Sequence, residues 1–147
     1  MTWQELLNEG RIERHQTSRQ ELDALRAVIA RDLADADLEK LSVDGRFTKA
    51  YNAALQSTRM VIACCGYRVK GFGAHYATFQ CLRLAMGEAI YKTARFLNKC
   101  RVKRNTAVYD AAGRVPESEA QEMIKVAKSF TKKVEKWIRD NYPVYGK

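Results

Sequence analysis

The sequence has few of the residues that interrupt helices and few of those that hold metal ions. Its 147 residues include two prolines and eight glycines, so long uninterrupted helices are sterically allowed. Only two histidines accompany the four cysteines, and no Cys-x-x-Cys pair occurs, which leaves a zinc site with little support. We therefore predict no metal and no cofactor, and we expect free, buried thiols of the kind common in a reducing cytoplasm.

Long apolar runs are also missing. No stretch of about 18 apolar residues is present, which argues against a membrane span. The first residues lack a basic region followed by an apolar stretch, so we expect no secretory signal. These absences together predict a cytoplasmic protein that does not associate with membranes.

Positive charge is what the chain has in excess. The formal net charge is +9, within an otherwise ordinary globular composition of 46% hydrophobic and 29% charged residues. Acidic residues concentrate in the segment 21–44, whereas the segments 91–104 and 125–139 are basic. This balance favours a polyanion such as RNA as partner, although an acidic protein partner or simple solubility would also account for it.

Apolar residues recur at the spacing of three and four that is typical of amphipathic helices. Thr17 or Ser18 is suited to cap a helix at its N-terminus, Ser42 or Asp44 to begin the next helix, and Gly66 to end that helix. No strand-like alternation is apparent. We predict that the apolar faces converge on one core, beginning at Leu22, Phe47, Phe79 and Ile124.

The predicted fold is therefore all-α, an up-and-down bundle of four to five helices. Residues 1–16 would form an N-terminal arm or short helix, residues 17–142 the bundle, and residues 143–147 a C-terminal tail. Trp3 is expected to pack the arm onto the bundle or onto a second subunit.

The basic segment that ends in Arg101-Val102-Lys103-Arg104-Asn105 is the main indication of function. Six basic residues and no acidic one lie between residues 91 and 104. At 3.6 residues per turn, Arg101, Arg104, Asn105 and Tyr109 fall close to one helix face. The residues predicted to bind nucleic acid are Arg95, Lys99, Arg101, Lys103 and Arg104.

Two segments in this order resemble the HEPN superfamily of small helical bundles. The first runs from Asp44-Gly45-Arg46-Phe47 through Gly66-Tyr67-Arg68 to Gly73-Ala74-His75-Tyr76. The second, Arg104-Asn105-Thr106-Ala107-Val108-Tyr109, is similar to the Arg-x4-6-His motif of that superfamily, in which a polar residue often follows the Arg. The resemblance implies a homodimer whose motif residues meet at a two-fold groove and, in many members, cleave RNA without a metal.

Tyr109 stands at the position where the motif has His. A phenol, with a pKa of about 10, is a poorer base at neutral pH than an imidazole. The catalytic set implied by the resemblance is Arg104, Asn105 and Tyr109, with slow or absent cleavage. His75 is a possible auxiliary that could replace the missing imidazole; its alternative is an ordinary residue at a helix start.

Two functional hypotheses remain open at this point. The first is an RNA-associated protein of a prokaryotic defence or toxin–antitoxin system, with a degenerate or weak metal-independent RNase site. The second is a non-catalytic module that binds a protein such as a minimal nucleotidyltransferase. On the second hypothesis Arg104 and Asn105 are a structural pair, and Tyr109 is a packed tyrosine or a target of modification.

Overall fold

The computed structural model describes residues 1–71, 74–109 and 115–147, and all of their side chains except those of residues 74–76 and 105–109. Within these ranges the chain forms six α-helices, two short 3₁₀ turns (Glu88–Ile90 and Pro143–Tyr145) and two strands of three residues. The helices are α1 Trp3–Asn8, α2 Arg19–Ala36, α3 Val43–Cys64, α4 Ala74–Met86, α5 Tyr91–Tyr109 and α6 Glu117–Asn141. The strands are β1 Ile12–Arg14 and β2 Tyr67–Val69.

Helix α3 is the centre of the bundle. It packs against α2 and α6 and also against α4 and α5. Its sequence explains this position, because small and apolar residues surround it on most sides, and a helix that is apolar nearly all round is stable only when buried. Leu22, Phe47, Phe79 and Ile124 belong to one cluster of buried side chains, so the predicted convergence of the apolar faces is confirmed.

Of the residues predicted to begin α2 and α3, Ser18 and Ser42 are the caps in the structure. Ser18 Oγ accepts a hydrogen bond from the Glu21 backbone N–H at 3.1 Å, and Ser42 Oγ accepts one from the Gly45 N–H at 3.0 Å. Each cap satisfies a backbone donor that the first turn of a helix leaves open. Gly66, two residues after α3 ends, has φ 91°, and Gly87, between α4 and the following 3₁₀ turn, has φ 83°. Both conformations favour a residue without Cβ.

The expectation of no strands was wrong in one place. Strands β1 and β2 form a two-stranded antiparallel ribbon in which Ile12 pairs with Val69 and Arg14 with Tyr67. Three residues are too few to show an alternating pattern, and the partners are far apart in sequence. The ribbon fixes the N-terminal arm to the bundle, and Trp3 stacks on Tyr67 with ring centroids 4.7 Å apart.

The last residues are also fixed to the bundle. Arg26 of α2 donates to the Tyr145 carbonyl oxygen at 2.7 Å and to both carboxylate oxygens of Glu135 on α6, at 2.8 and 3.0 Å. The all-α helical bundle is thus confirmed. Helices α2 to α6 form the bundle, and α1 belongs to the arm.

Candidate nucleic-acid interface

One side of α5 carries exposed positive charge. Lys92, Arg95 and Lys99 are exposed, and their spacing of three and four residues places them on one side of the helix. The residues of α5 include no Asp or Glu. Tyr91 and Val102, exposed to 40% and 55%, border these cations on the same side. We call Tyr91, Lys92, Arg95, Lys99 and Val102 the outer face of α5.

The two arginines predicted to share a helix face with Asn105 and Tyr109 lie on the other side of this helix. Arg101 and Arg104 are half-buried, and nine residues at about 100° each place Arg104 ~180° around α5 from Arg95. The Arg104 guanidinium carbon is 6.0 Å from the ring centroid of the buried Tyr51. Arg101 Nε donates to Asn98 Oδ1 at 3.0 Å. The basic residues of α5 therefore do not share one surface.

Tyr51 of α3 lies on the inner side of α5, next to Arg104. Its side chain is fully buried and meets Phe79 edge to face, with ring centroids 5.9 Å apart. Burial raises the pKa of the Tyr51 phenol, and the nearby charges of Arg104 and Arg101 act in the opposite direction. The inner arginines thus lie beside a neutral phenol that stays protonated at physiological pH.

A cavity of about 280 Å³ lies beside the outer face, between α3, α5 and α6. Lys99 and Lys103 line it on one side, with Glu119 and Glu122 of α6 opposite. Lys103 forms an ion pair with Glu119, so part of its charge is neutralised within the protein. Phe47, Phe96 and Cys100 also line the cavity.

Cys100 is unsuited to nucleophilic chemistry. Burial raises the pKa of its thiol to about 12, and the thiolate is the reactive form of cysteine. The same cause raises the pKa values of Cys64 and Cys81 to about 12. These three cysteines are buried and free.

Several predicted site residues lie outside the described side chains. The backbones of Asn105 and Tyr109 belong to α5 and that of His75 to α4, but their side chains are not described. Of the predicted set Arg104, Asn105 and Tyr109, only the side chain of Arg104 is described. The geometry of the set therefore stays a prediction.

Within the ranges described above, no group of three or more His, Cys, Asp or Glu side chains is arranged to hold a metal ion. The same part of the chain contains no helix with the length and apolar character that a membrane crossing requires. Searches among protein family models, curated proteins and solved structures find no match to this chain.

Sequence reasoning missed a second polar cluster, which lies near the C-terminal end of α3, whereas the cavity above lies near the N-terminal end of that helix. His15 Nε2 lies 2.8 and 3.0 Å from the two carboxylate oxygens of Glu21, beside a separate cavity. The sequence offered one signal, because Ser18 and Glu21 have the spacing of a capping box and His15 precedes them closely. The cavity itself depends on the pairing of β1 with β2, which the sequence does not reveal.

Proposed function

We propose that this chain is an RNA-binding helical bundle that contacts the phosphate backbone through the outer face of α5. The observation that supports this most is the placement of Lys92, Arg95 and Lys99 in a row of exposed cations on a helix without acidic residues. Lysine and arginine in such a row match the charge of a polynucleotide without reading its sequence.

The HEPN resemblance extends this proposal to a homodimer with a degenerate RNase site. Arg104 would contact a phosphate from its half-buried position beside Tyr51, because its planar guanidinium suits bidentate phosphate recognition. Asn105 would donate a hydrogen bond to the same phosphate, and Tyr109 would position that phosphate. The biological setting proposed is a prokaryotic defence or toxin–antitoxin system in the cytoplasm.

The test is a titration of a fluorescein-labelled single-stranded RNA of mixed sequence, followed by fluorescence anisotropy between about 50 and 200 mM salt. The double variant Lys92→Gln/Lys99→Gln should bind more weakly. The slope of log K against log salt should become shallower by about 1.4, because each phosphate contact on a single strand contributes about 0.7.

The matched control is Lys132→Gln/Lys133→Gln. It removes the same charge from exposed lysines on α6, away from the outer face of α5. We expect this control to change the slope by less than half as much. Equal changes in the two double variants would show diffuse attraction by net charge and would contradict a localised interface.

Catalysis is expected to be slow or absent in the wild-type chain, because a phenol is mostly protonated at neutral pH. Tyr109→His restores the Arg-x4-His pattern and should raise metal-independent cleavage of the same RNA measured on a gel with EDTA present. Strong wild-type cleavage that is lost in Tyr109→Phe would make Tyr109 a direct participant. Cleavage lost only in His75→Gln would assign the proton transfer to His75.

The second candidate function is a protein-interaction module for a partner such as a nucleotidyltransferase. The exposed Tyr91 and Val102 favour it, because apolar side chains among cations suit a protein surface better than a phosphate backbone. In that case the chain should show no salt-sensitive RNA binding. Val102→Glu should then abolish binding to the purified nucleotidyltransferase while Lys132→Glu leaves it intact.

A further inference from the structure

The second cavity has the construction of a small-molecule site. Its volume is about 270 Å³, and its walls come from α2, α3, β2, α4 and the connection between β1 and α2. Most of the wall is apolar, formed by Leu25, Ile62, Ala63, Val69 and the ring of Tyr67. Pockets for small ligands are commonly apolar with a few converging polar groups.

The polar groups begin with His15 and Glu21. Thr17 Oγ1 donates to Glu21 Oε1 at 2.9 Å, so the carboxylate is held by a hydroxyl as well as by the imidazole. Burial raises the pKa of the Glu21 carboxyl, but hydrogen bonds from His15 and Thr17 outweigh it, and the pKa lies below its usual value. Because the ionised Glu21 engages Nε2 of His15, the ring is oriented, and Nδ1 is the nitrogen that donates to an anion when the ring is an imidazolium.

The contacts of the Glu21 carboxylate differ from those expected at its position in α2. In a capping box the glutamate three residues after the cap would turn back toward the Ser18 N–H. In this protein its carboxylate contacts His15 and Thr17. The helix start therefore supplies an orienting group to the cavity.

Two arginines line the same cavity from other elements. Arg59 of α3 is exposed, and its Nη1 lies 3.3 Å from Gln56 Oε1, a weak contact. Within the described part of the chain, Arg59 forms no ion pair with an acidic side chain. Arg68 of β2 donates from Nε to Glu13 at 2.6 Å. Arg59 is thus the cation at this cavity with charge to offer a ligand.

We propose that this cavity binds a small organic anion with a flat ring, the ring seated between α2, α3 and β2 and the anionic group held by Arg59 and the imidazolium of His15. Nucleoside monophosphates and aromatic carboxylates both combine a flat ring with an anionic group. A His–Glu pair that served only to fasten the arm would need neither an apolar cavity beside it nor an unmatched arginine across from it. This site is separate from the outer face of α5 and does not depend on RNA binding there.

The test follows the ring resonances of His15 by NMR in the full chain. Two histidines are present, so His75→Gln assigns the signals. Uridine monophosphate, benzoate, uridine and inorganic phosphate are titrated separately. We expect saturable shifts with at least one of the two ring-bearing anions, and affinities about tenfold lower for uridine and phosphate, which each lack one part of the ligand. Saturation by one anion and not the other identifies which of the two ligand classes the cavity binds.

Arg59→Gln should weaken binding of that anion about tenfold, as expected for a lost charge-assisted hydrogen bond. Arg139→Gln, which removes the same charge from an exposed position on α6, should leave the affinity unchanged. Thermal unfolding by circular dichroism verifies that both variants fold. No saturable shift with either ring-bearing anion overturns the proposal. Phosphate that binds as tightly as the ring-bearing anion that saturates, or equal effects of the two arginine variants, also overturns it.

Discussion

Between α2 and α6, charged groups meet opposite charges inside the protein, whereas the outer face of α5 turns its charges toward solvent. Between α2 and α6 the Arg26 side chain is 11% exposed and that of Glu135 8%, and the two form a bidentate pair. On α5, Lys92, Arg95 and Lys99 are exposed. The first arrangement fixes the fold, whereas the second leaves charge available for a partner.

The acidic part of α2 belongs to the first arrangement. Asp32 and Asp35 lie within 3.7 and 3.6 Å of the Lys49 ammonium, and Asp37 pairs with Lys128 at 2.8 Å. The acidic cluster predicted from the sequence is therefore largely neutralised by cations from α3 and α6. Lys49 and Lys128 therefore have less charge to offer a polyanion than the exposed cations on the outer face of α5.

The largest effect is expected at the buried pair. Glu135→Leu leaves the Arg26 guanidinium without its main partner and should lower the free energy of unfolding by about 3 kcal/mol, measured by urea denaturation. The double variant Arg26→Leu/Glu135→Leu should recover much of this loss, because two apolar groups replace two charges. Asp140→Leu, at the exposed pair with Lys136, is the control and should cost less than about 1 kcal/mol.

The next effect distinguishes the inner arginines of α5 from exposed lysines elsewhere. Arg104→Ala should weaken RNA binding about tenfold in the anisotropy assay, and Lys132→Ala less than twofold, because a guanidinium offers a planar set of donors to phosphate. Both variants need a thermal unfolding check, since Arg104 lies beside the buried Tyr51. Equal small losses of affinity would mean that Arg104 has a structural role.

Dimerisation would join the α5 sides of two chains. A two-fold axis near α5 would bring two copies of Arg104 into one groove, as the HEPN resemblance implies. Light scattering at about 50 µM should give twice the chain mass, a concentration at which weak dimers form. A strict monomer in the wild type would contradict the two-fold site.

The smallest expected effect is the pH dependence of the contribution that Glu21 makes to stability. The pKa of Glu21 in the folded protein lies below its ordinary value of 4.5, so its contribution to stability is present above pH 4.5 and is lost as the pH falls through the folded pKa. The free energy of unfolding of Glu21→Gln should therefore be lower than that of the wild type at neutral pH, and the two values should converge in acid. The difference should stay under about 1 kcal/mol, because Glu21 is 41% exposed. A difference in the free energy of unfolding that grows as the pH falls from 7 to 3 would contradict this prediction.

Helix starts and ends were predictable because they depend on near neighbours. Ser18 and Ser42 cap helices through hydrogen bonds from residues three positions on, and Gly66 adopts a positive φ just beyond the end of α3. Burial was predictable for the same reason, since the period of 3.6 residues assigns each apolar side chain to a face. The candidate site was predicted only in part: the basic character of α5 was clear, but its division into an outer and an inner side was not.

The sequence by itself determined the helical content, the helix boundaries, the apolar faces and the concentration of positive charge in α5. Those properties are set within a few turns of the chain. Only the tertiary structure decided which charges are matched and which cavities exist. Glu135 is flanked by lysines in sequence yet pairs with Arg26, 109 residues away. The ribbon that brings His15 to Gly66 likewise joins distant segments. Such contacts depend on how helices pack, and no local pattern encodes them.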